Sequence, residues 1–538
     1  MIKKIFIFIA IVLLNIGCSK DFLDTKSTST VDHETIFETT EAALMAVNGL
    51  HRYMYTRHSY APDMGYGTYM LWNEFLGEDL VFTKGNVQWL SSAAWSLHRN
   101  TSSRQLREIY LTFYKLIANA NMIILNIDNA KGTQSEKDYI KGQALSYRAF
   151  CHFCLVQWWG ERYYAGKTNS QLGIVLKVDN SLENIPRSTV EEVYDQINKD
   201  LDEAIGLLSS TKEKKSSKTD IDVHVARGLK ARVLLTQGKW IEAAEMAKKV
   251  INESGAELQA NTYEFKKGRG CDATNSEWIW AKIAQPEIET GNLTNFYSYI
   301  SNTNISYNRN TPRAIYNLLY DKISETDVRK QLWLPEGQAA PSNTIAIPPA
   351  GNKFKWISQK FIVDYPDNTS PLYAGNLITA DLAYMRLPEM ILIEAEAYAR
   401  SGNYSAAAEA LYPLAHIRDP KYILSTNTGD ELIEEIMIQR RIELWGEGFR
   451  FLDLKRLNMD LDRGPAPRAE YNQGGAGNGW KSGATPTNLD PLASNFNMYD
   501  DQKIGEANRY RAANSIEWQF VFYQSEIDRN PLIIQNPI

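Results

Sequence analysis

Three groups of residues in this chain have the types that chemistry uses. Cys151-His152-Phe153-Cys154 has the spacing of a redox-active or metal-binding thiol pair. It lies inside a helical pattern with no second pair and no nearby ligand cluster, whereas a zinc site closes with four ligands. Two buried thiols in a helix core is the reading these residues support. Glu389, Glu394 and Glu396 are carboxylates of the kind that work in pairs across a glycosidic bond. On a helix, Glu394 and Glu396 point about 200° apart, and Glu389 stands about two turns from Glu396. A structural role is therefore expected, with Glu389 pairing with Arg386 or with another arginine packed on the helix. The block from Gln439 to Arg456 alternates Arg and Glu with large apolar side chains. Arg440, Arg441 and Arg450 have the charge for an anion site. Bidentate Arg–carboxylate pairs that lock helix ends in place explain the pattern better. No nucleophile elbow, phosphate loop or dinucleotide fingerprint is present, and the seven histidines are scattered. Nothing here assembles an active site, so neither an enzyme nor a bound metal or cofactor is expected.

The elements that must position these residues are mostly helical. Gly238-Lys239-Trp240-Ile241-Glu242-Ala243-Ala244-Glu245 aligns with Gly402-Asn403-Tyr404-Ser405-Ala406-Ala407-Ala408-Glu409, and Ala231 and Ala395 precede the two glycines at the same distance. Each block joins two stretches with apolar residues at helical spacing. Small residues let the paired helices approach closely, as in tetratricopeptide repeats. A regular array would repeat every ~34 residues, so other parts of the chain must lie between these copies. The helical frame reads as roughly 35–55, 105–160, 190–255, 380–416 and 430–458. Residues 56–104, 256–379 and 463–500 differ from it: they mix Gly, Asn, Pro and aromatics with little periodicity. Gly474-Gly475-Ala476-Gly477-Asn478-Gly479-Trp480 reads as an extended loop. The architecture expected is mainly α, a helical-repeat spine carrying loop-rich excursions.

Composition narrows the function classes. The chain has 58 Lys and Arg against 64 Asp and Glu, a balance that argues against a nucleic-acid partner. Four cysteines cannot carry a disulfide framework at 538 residues. At the N-terminus, Lys3 and Lys4 precede an apolar run from Ile5 to Ile16, too short to span a bilayer. It reads as a removable export signal. The signal ends at Gly17-Cys18 and so resembles a bacterial lipoprotein signal, with Cys18 as the acylated residue and Asn15 three places before it. Residues 1–17 would then be the signal, 18–34 a lipidated tether, and the body would be anchored to a membrane without spanning it.

Three motifs together resemble the SusD/RagB family of surface lipoproteins. They are the Arg-Arg-x-Glu-Leu-x-x-Glu-Gly-x-Arg-x-x-Asp-Leu-x-Arg string from Arg440 to Arg456, the stretch Tyr384-Met385-Arg386-Leu387-Pro388-Glu389 running on to Ala397, and the tail Gln524-Ser525-Glu526-Ile527-Asp528-Arg529-Asn530-Pro531. Arg148-Ala149-Phe150 through Trp159-Gly160 resembles the family's second helix pair. Phe449 departs from the pattern, standing where members often carry His. The resemblance implies four tetratricopeptide-like helix pairs supporting a loop-rich second subdomain. Residues 35–255 would form the N-terminal helical region, 256–379 the loop-rich insertion on the ligand side, and 380–538 the C-terminal region. It also implies a surface-exposed, lipid-anchored outer-membrane protein that captures an oligosaccharide and delivers it to a SusC-like TonB-dependent transporter.

A glycan binder needs flat apolar faces to stack on sugar rings and polar groups to bond their hydroxyls. Trp72, Asn73, Asp79, Trp89, Trp95 and Arg99 give one excursion that composition. Family ligand sites also draw on the loop-rich half, where Tyr297, Tyr299, Tyr307 and Trp333 are candidates. The alternative for each ring is to pack beneath its own loop. Two other functions compete: capture of a peptide- or protein-derived nutrient on the same machinery, and a repeat scaffold without a small ligand. A scaffold has no need of so much aromatic, Asn-rich excursion. No strongly charged pocket for peptide termini stands out, which favours sugar over peptide.

Overall fold

The computed structural model describes residues 33–57, 63–82, 89–259, 271–285, 295–302, 308, 313–334, 356–361, 380–463 and 510–538. Cys18 with the signal and tether before residue 33, Tyr307, and the Gly474–Trp480 cluster lie outside the described residues.

Among the described residues, four helix pairs stack in chain order. The first pairs α1 (Thr40–Tyr53) with α3 (Arg104–Asn126), and α2 (Tyr66–Phe75) lies between them in sequence. The second is α4 (Gln134–Trp159) with α5 (Val190–Ser210), the third α6 (Val223–Gln237) with α7 (Trp240–Glu253), and the fourth α8 (Leu387–Arg400) with α9 (Tyr404–Arg418). Each helix packs on the next, and α7 lies directly against α8 despite the long stretch of chain between them. The two sequence copies are therefore neighbouring hairpins. Their glycines sit in the left-handed region, at φ 72° for Gly238 and 85° for Gly402, where a Cβ would be strained.

Local chemistry fixes the helix starts. Thr133 and Thr189 each accept a backbone N–H while Glu136 and Glu192 reach back to the cap, two complete capping boxes. Val193, Ile197, Leu201 and Leu208 of α5 face inward at helical spacing, each apolar side chain contributing about 1.5–3 kcal/mol on burial. Arg148 of α4 grips Asp200 of α5 bidentately at 2.8 and 2.6 Å. Beyond α9 come α10 (Gly429–Glu443) and α11 (Arg450–Leu457).

The second subdomain is built on short strands. β1 (Leu80–Phe82), β3 (Arg313–Ile315), β5 (Ile357–Ser358) and β4 (Trp333–Leu334) form an antiparallel sheet in the order β1-β3-β5-β4. β2 (Trp278–Lys282) pairs with β6 (Leu382–Arg386), which runs straight into α8. An antiparallel pair of short strands, β7 (Leu461–Asp462) and β8 (Tyr510–Arg511), lies beyond α11. From it the tail returns to the core, where Phe520, Val521 and Phe522 are fully buried and Phe520 N–H donates to Trp158 O.

The largest departure from the sequence expectation is α2. Little regular structure was expected over residues 56–104, yet every residue from Tyr66 to Phe75 is buried in a helix. A helix enclosed on all sides has no polar face, so it leaves no amphipathic period to read. Among the described residues, no helix is long and apolar enough to cross a membrane.

Candidate functional site

The sequence candidates converge, but in the interior. Trp72 lies against Trp158 at 5.2 Å between ring centroids and meets Trp89 edge-on at 6.3 Å. Trp89 in turn meets Tyr299 at 5.5 Å, Trp95 meets Trp518 at 4.8 Å, and Trp333 meets Trp445 at 6.0 Å. Trp89 and Trp95 hold φ of 74° and 59°, positions that bulky side chains occupy only when surrounding structure imposes them. The polar candidates are engaged as well. Asn73 accepts from Trp158 Nε1 at 2.8 Å, Asp79 accepts from Arg441 Nε at 3.0 Å, and Tyr297 OH donates to the Asp381 carbonyl. All eight of these side chains are buried, their faces taken by protein rather than offered to a ligand. The packing alternative weighed for each ring is the arrangement this structure has.

Arg99 is the half-exposed member of the set. Its guanidinium donates to the carbonyls of Ile516 at 3.0 Å, Gln519 at 2.5 Å and Pro537. Those three residues line a surface cavity of about 140 Å³. The cavity is walled by the turn after α4 (Glu161, Arg162, Tyr164), the end of α11 (Lys455, Asn458) and the segment after β8 (Ser515, Trp518). Trp95 braces the Trp518 wall from behind. Two sequence candidates thus support this opening without lining it. Sequence reading missed the cavity, because its walls come from four separate stretches.

The charged block resolves as paired ions. Glu443 accepts from Arg329, Arg386 and Arg418, each at 3.2 Å. Glu277 takes Arg418 at 2.6 Å and Arg386 at 3.0 Å, and Glu447 takes Arg386 at 2.6 Å and Lys360 at 2.5 Å. Burial opposes ionisation of Glu443, but Arg418, Arg386 and Arg329 overcome it and hold the carboxyl well below its usual range. Arg440 pairs with Asp453 at 2.7 Å, Arg441 with Asp79, and Arg450 with Glu78 at 2.8 Å. The three arginines are committed to carboxylates, not to a free anion. Glu389 pairs with Arg232 at 2.6 and 2.7 Å, the second of the two partners expected for it, and Glu396 with Arg456 at 2.7 Å. Cys151 and Cys154 are buried free thiols whose pKa values burial pushes up. Among the described residues, no group of three or more His, Cys, Asp or Glu is placed to hold a metal ion.

Known proteins share the overall fold. Over 92% of this chain and 98% of its own, a SusD-like carbohydrate binding protein from Bacteroides vulgatus ATCC 8482 superposes with a TM-score of 0.73 at 23% identity. A SusD superfamily protein from Bacteroides thetaiotaomicron VPI-5482 gives 0.69 at 22% identity, over 93% and 100% of the two chains. Another from Bacteroides vulgatus gives 0.70 at 18%, over 93% and 99%. No curated protein matches the chain. The chain shares its fold with these Bacteroides proteins. Residues 21–235 match the family model SusD-like_3, described as starch-binding associating with outer membrane. Over those residues the chain is similar to the SusD/RagB family.

Proposed function

We propose that the protein is a non-catalytic, cell-surface lipoprotein of the outer membrane, anchored through Cys18. It captures an oligosaccharide or polysaccharide and delivers it to a SusC-like TonB-dependent transporter. The observation that carries this reading is the match of residues 21–235 to a starch-binding, outer-membrane-associated family. The fold shared with a SusD-like carbohydrate binding protein along almost the whole chain supports it. In this reading the loop-rich half takes the glycan. The buried cluster of Trp72, Trp89, Trp95, Tyr299 and Trp333 serves as its rigid floor, with Asn73, Asp79 and Tyr297 tying that floor to neighbouring elements. The helical spine is the support and the face that docks on the transporter. A binding role suits the interior carboxylates too: held ionised by arginines, they are poor proton donors.

The test is retardation of the body, residues 19–538, in native gels containing plant, host and microbial polysaccharides. Retardation by one glycan class is the expected result. Unchanged mobility across the panel, together with binding of peptides from a protein digest, would move the cargo from sugar to peptide.

A further inference from the structure

We propose that the cavity between the turn after α4, the end of α11 and the segment after β8 is a binding subsite for a single neutral pyranose ring. The ring is either a free monosaccharide or the terminal unit of a chain. This inference rests on the glycan reading and assigns it a site that shares no lining residue with the four-stranded sheet.

Size comes first. About 140 Å³ is close to the ~150 Å³ cavity that accepts benzene in an engineered apolar core, so the ring of a pyranose fits while its outer hydroxyls project through the open side of this surface cavity. The walls then select its chemistry. Leu454, Ile516, Trp518 and the Tyr164 ring are apolar, while Asn458, Asn514, Ser515 and Gln519 are neutral polar groups. An apolar cavity would stay dry and take a hydrocarbon. This mixture suits a ring with C–H faces and hydroxyl edges. Two of the lining residues also carry unsatisfied oxygens: Asn458 Oδ1 and Ser515 Oγ are buried without a hydrogen-bond partner. Leaving such groups unpaired costs about 1–3 kcal/mol each, a cost removed when the two side chains turn to the cavity and accept from sugar hydroxyls.

The charges here are already engaged, which favours a neutral ligand. Lys455 Nζ donates to the carbonyls of Gln157 at 2.6 Å and Gly160 at 2.9 Å, capping the end of α4. Arg162 stacks on Tyr164, 4.2 Å from the ring centroid, and donates to Asn514 Oδ1 at 3.4 Å. Glu161 accepts from Tyr164 OH at 3.0 Å.

The site is also held rigid. Arg99 grips the carbonyls of Ile516, Gln519 and Pro537, Trp518 Nε1 donates to Ala512 O at 2.8 Å, and Ala513 N–H donates to Asp460 at 2.7 Å. Walls fixed before binding cost little to order.

The experiment is saturation-transfer NMR on residues 19–538 with D-glucose, D-galactose, D-mannose and their methyl glycosides. Three proteins are compared: the natural sequence, a double variant N458G/S515A, and A513W, which sets an indole against the cavity wall. Glycine keeps the left-handed backbone of position 458, φ 55°, and thermal melts establish that each variant is folded. At least one hexose is expected to give a saturable signal. Its Kd should rise tenfold or more in the double variant, and the signal should vanish in A513W. Hexose binding that both folded variants retain unchanged would overturn the site. Absence of hexose binding in a body that polysaccharide gels retard would overturn the subsite and leave the glycan reading standing. Absence of both would overturn the two together.

Discussion

The spine and its junction with the loop-rich half are held together by different physics. In the spine, α6/α7 packs on α8/α9 mainly through alanines and aliphatic side chains, with Ala243, Ala244, Ala247 and Val250 of α7 fully buried, and one isolated buried ion pair, Arg232–Glu389, joins α6 to α8. Where α10 and α11 meet β2, β6 and residues 327–334, the interior holds a continuous set of arginines and carboxylates centred on Glu443. Regular helices mate through short side chains because their backbones run side by side. Irregular segments meet at a distance, and long arginine arms with several donors bridge the gaps. The difference teaches where the molecule is brittle. Apolar contacts are lost piecemeal, whereas removing one partner of a buried ion network strands the others without countercharge.

The sharpest way to break this contrast is Glu443→Ala, which leaves Arg329, Arg386 and Arg418 short of their shared carboxylate. A loss of about 3–5 kcal/mol is expected, read as a shift in the urea midpoint. A loss below 1 kcal/mol would mean the network adds little to the junction.

Acid tests the same region more gently. Burial opposes the charge on Asp453, but Arg440 and Arg456 outweigh it and bring its pKa from 3.8 down to about 2. A folded value below the unfolded one gives stability that is fully present above pH ~4 and disappears as pH falls through about 2. That contribution is about 2 kcal/mol, and the stability–pH curve of Asp453→Asn should be flatter by this amount between pH 4 and 2.

The smallest effect sharpens the spine side. Gly238→Ala and Gly402→Ala both place a Cβ at positive φ, a strain of roughly 1–2 kcal/mol. At Gly238 the new atom would sit 2.8 Å from Ala165 Cβ, while nothing lies within 4 Å at Gly402. The Gly238 variant should melt lower than the Gly402 variant. Equal melting would show that strain alone matters in both copies.

Much of the spine was legible in the sequence because its signals are local. A glycine, an aromatic and paired alanines mark each hairpin. The Gln439–Arg456 block was readable as structural pairing, since its Arg and Glu alternate with apolar residues. What could not be read there was which carboxylate each arginine takes: Arg441 reaches Asp79 and Arg450 reaches Glu78, from the far side of the chain. The same applies to the candidate rings. Trp72, Trp89 and Trp95 have the composition of a stacking platform, but their burial is decided by Trp158, Tyr299 and Trp518, all distant in sequence. The cavity is the extreme case, for Arg99 finds its partners only once the C-terminal tail has folded back.

The account divides the molecule into a ligand-bearing half and a supporting spine, and hydrogen–deuterium exchange tests that division most directly. Residues 19–538 would be compared alone and with oligosaccharides cut from the polysaccharide that retards them. Slower exchange confined to peptides covering Leu80–Phe82, residues 313–334 and the cavity walls at 161–164 and 513–519, with α6 to α9 unchanged, is the predicted result. Protection falling on α6 to α9 instead would contradict it and make the helical repeats themselves the binding surface.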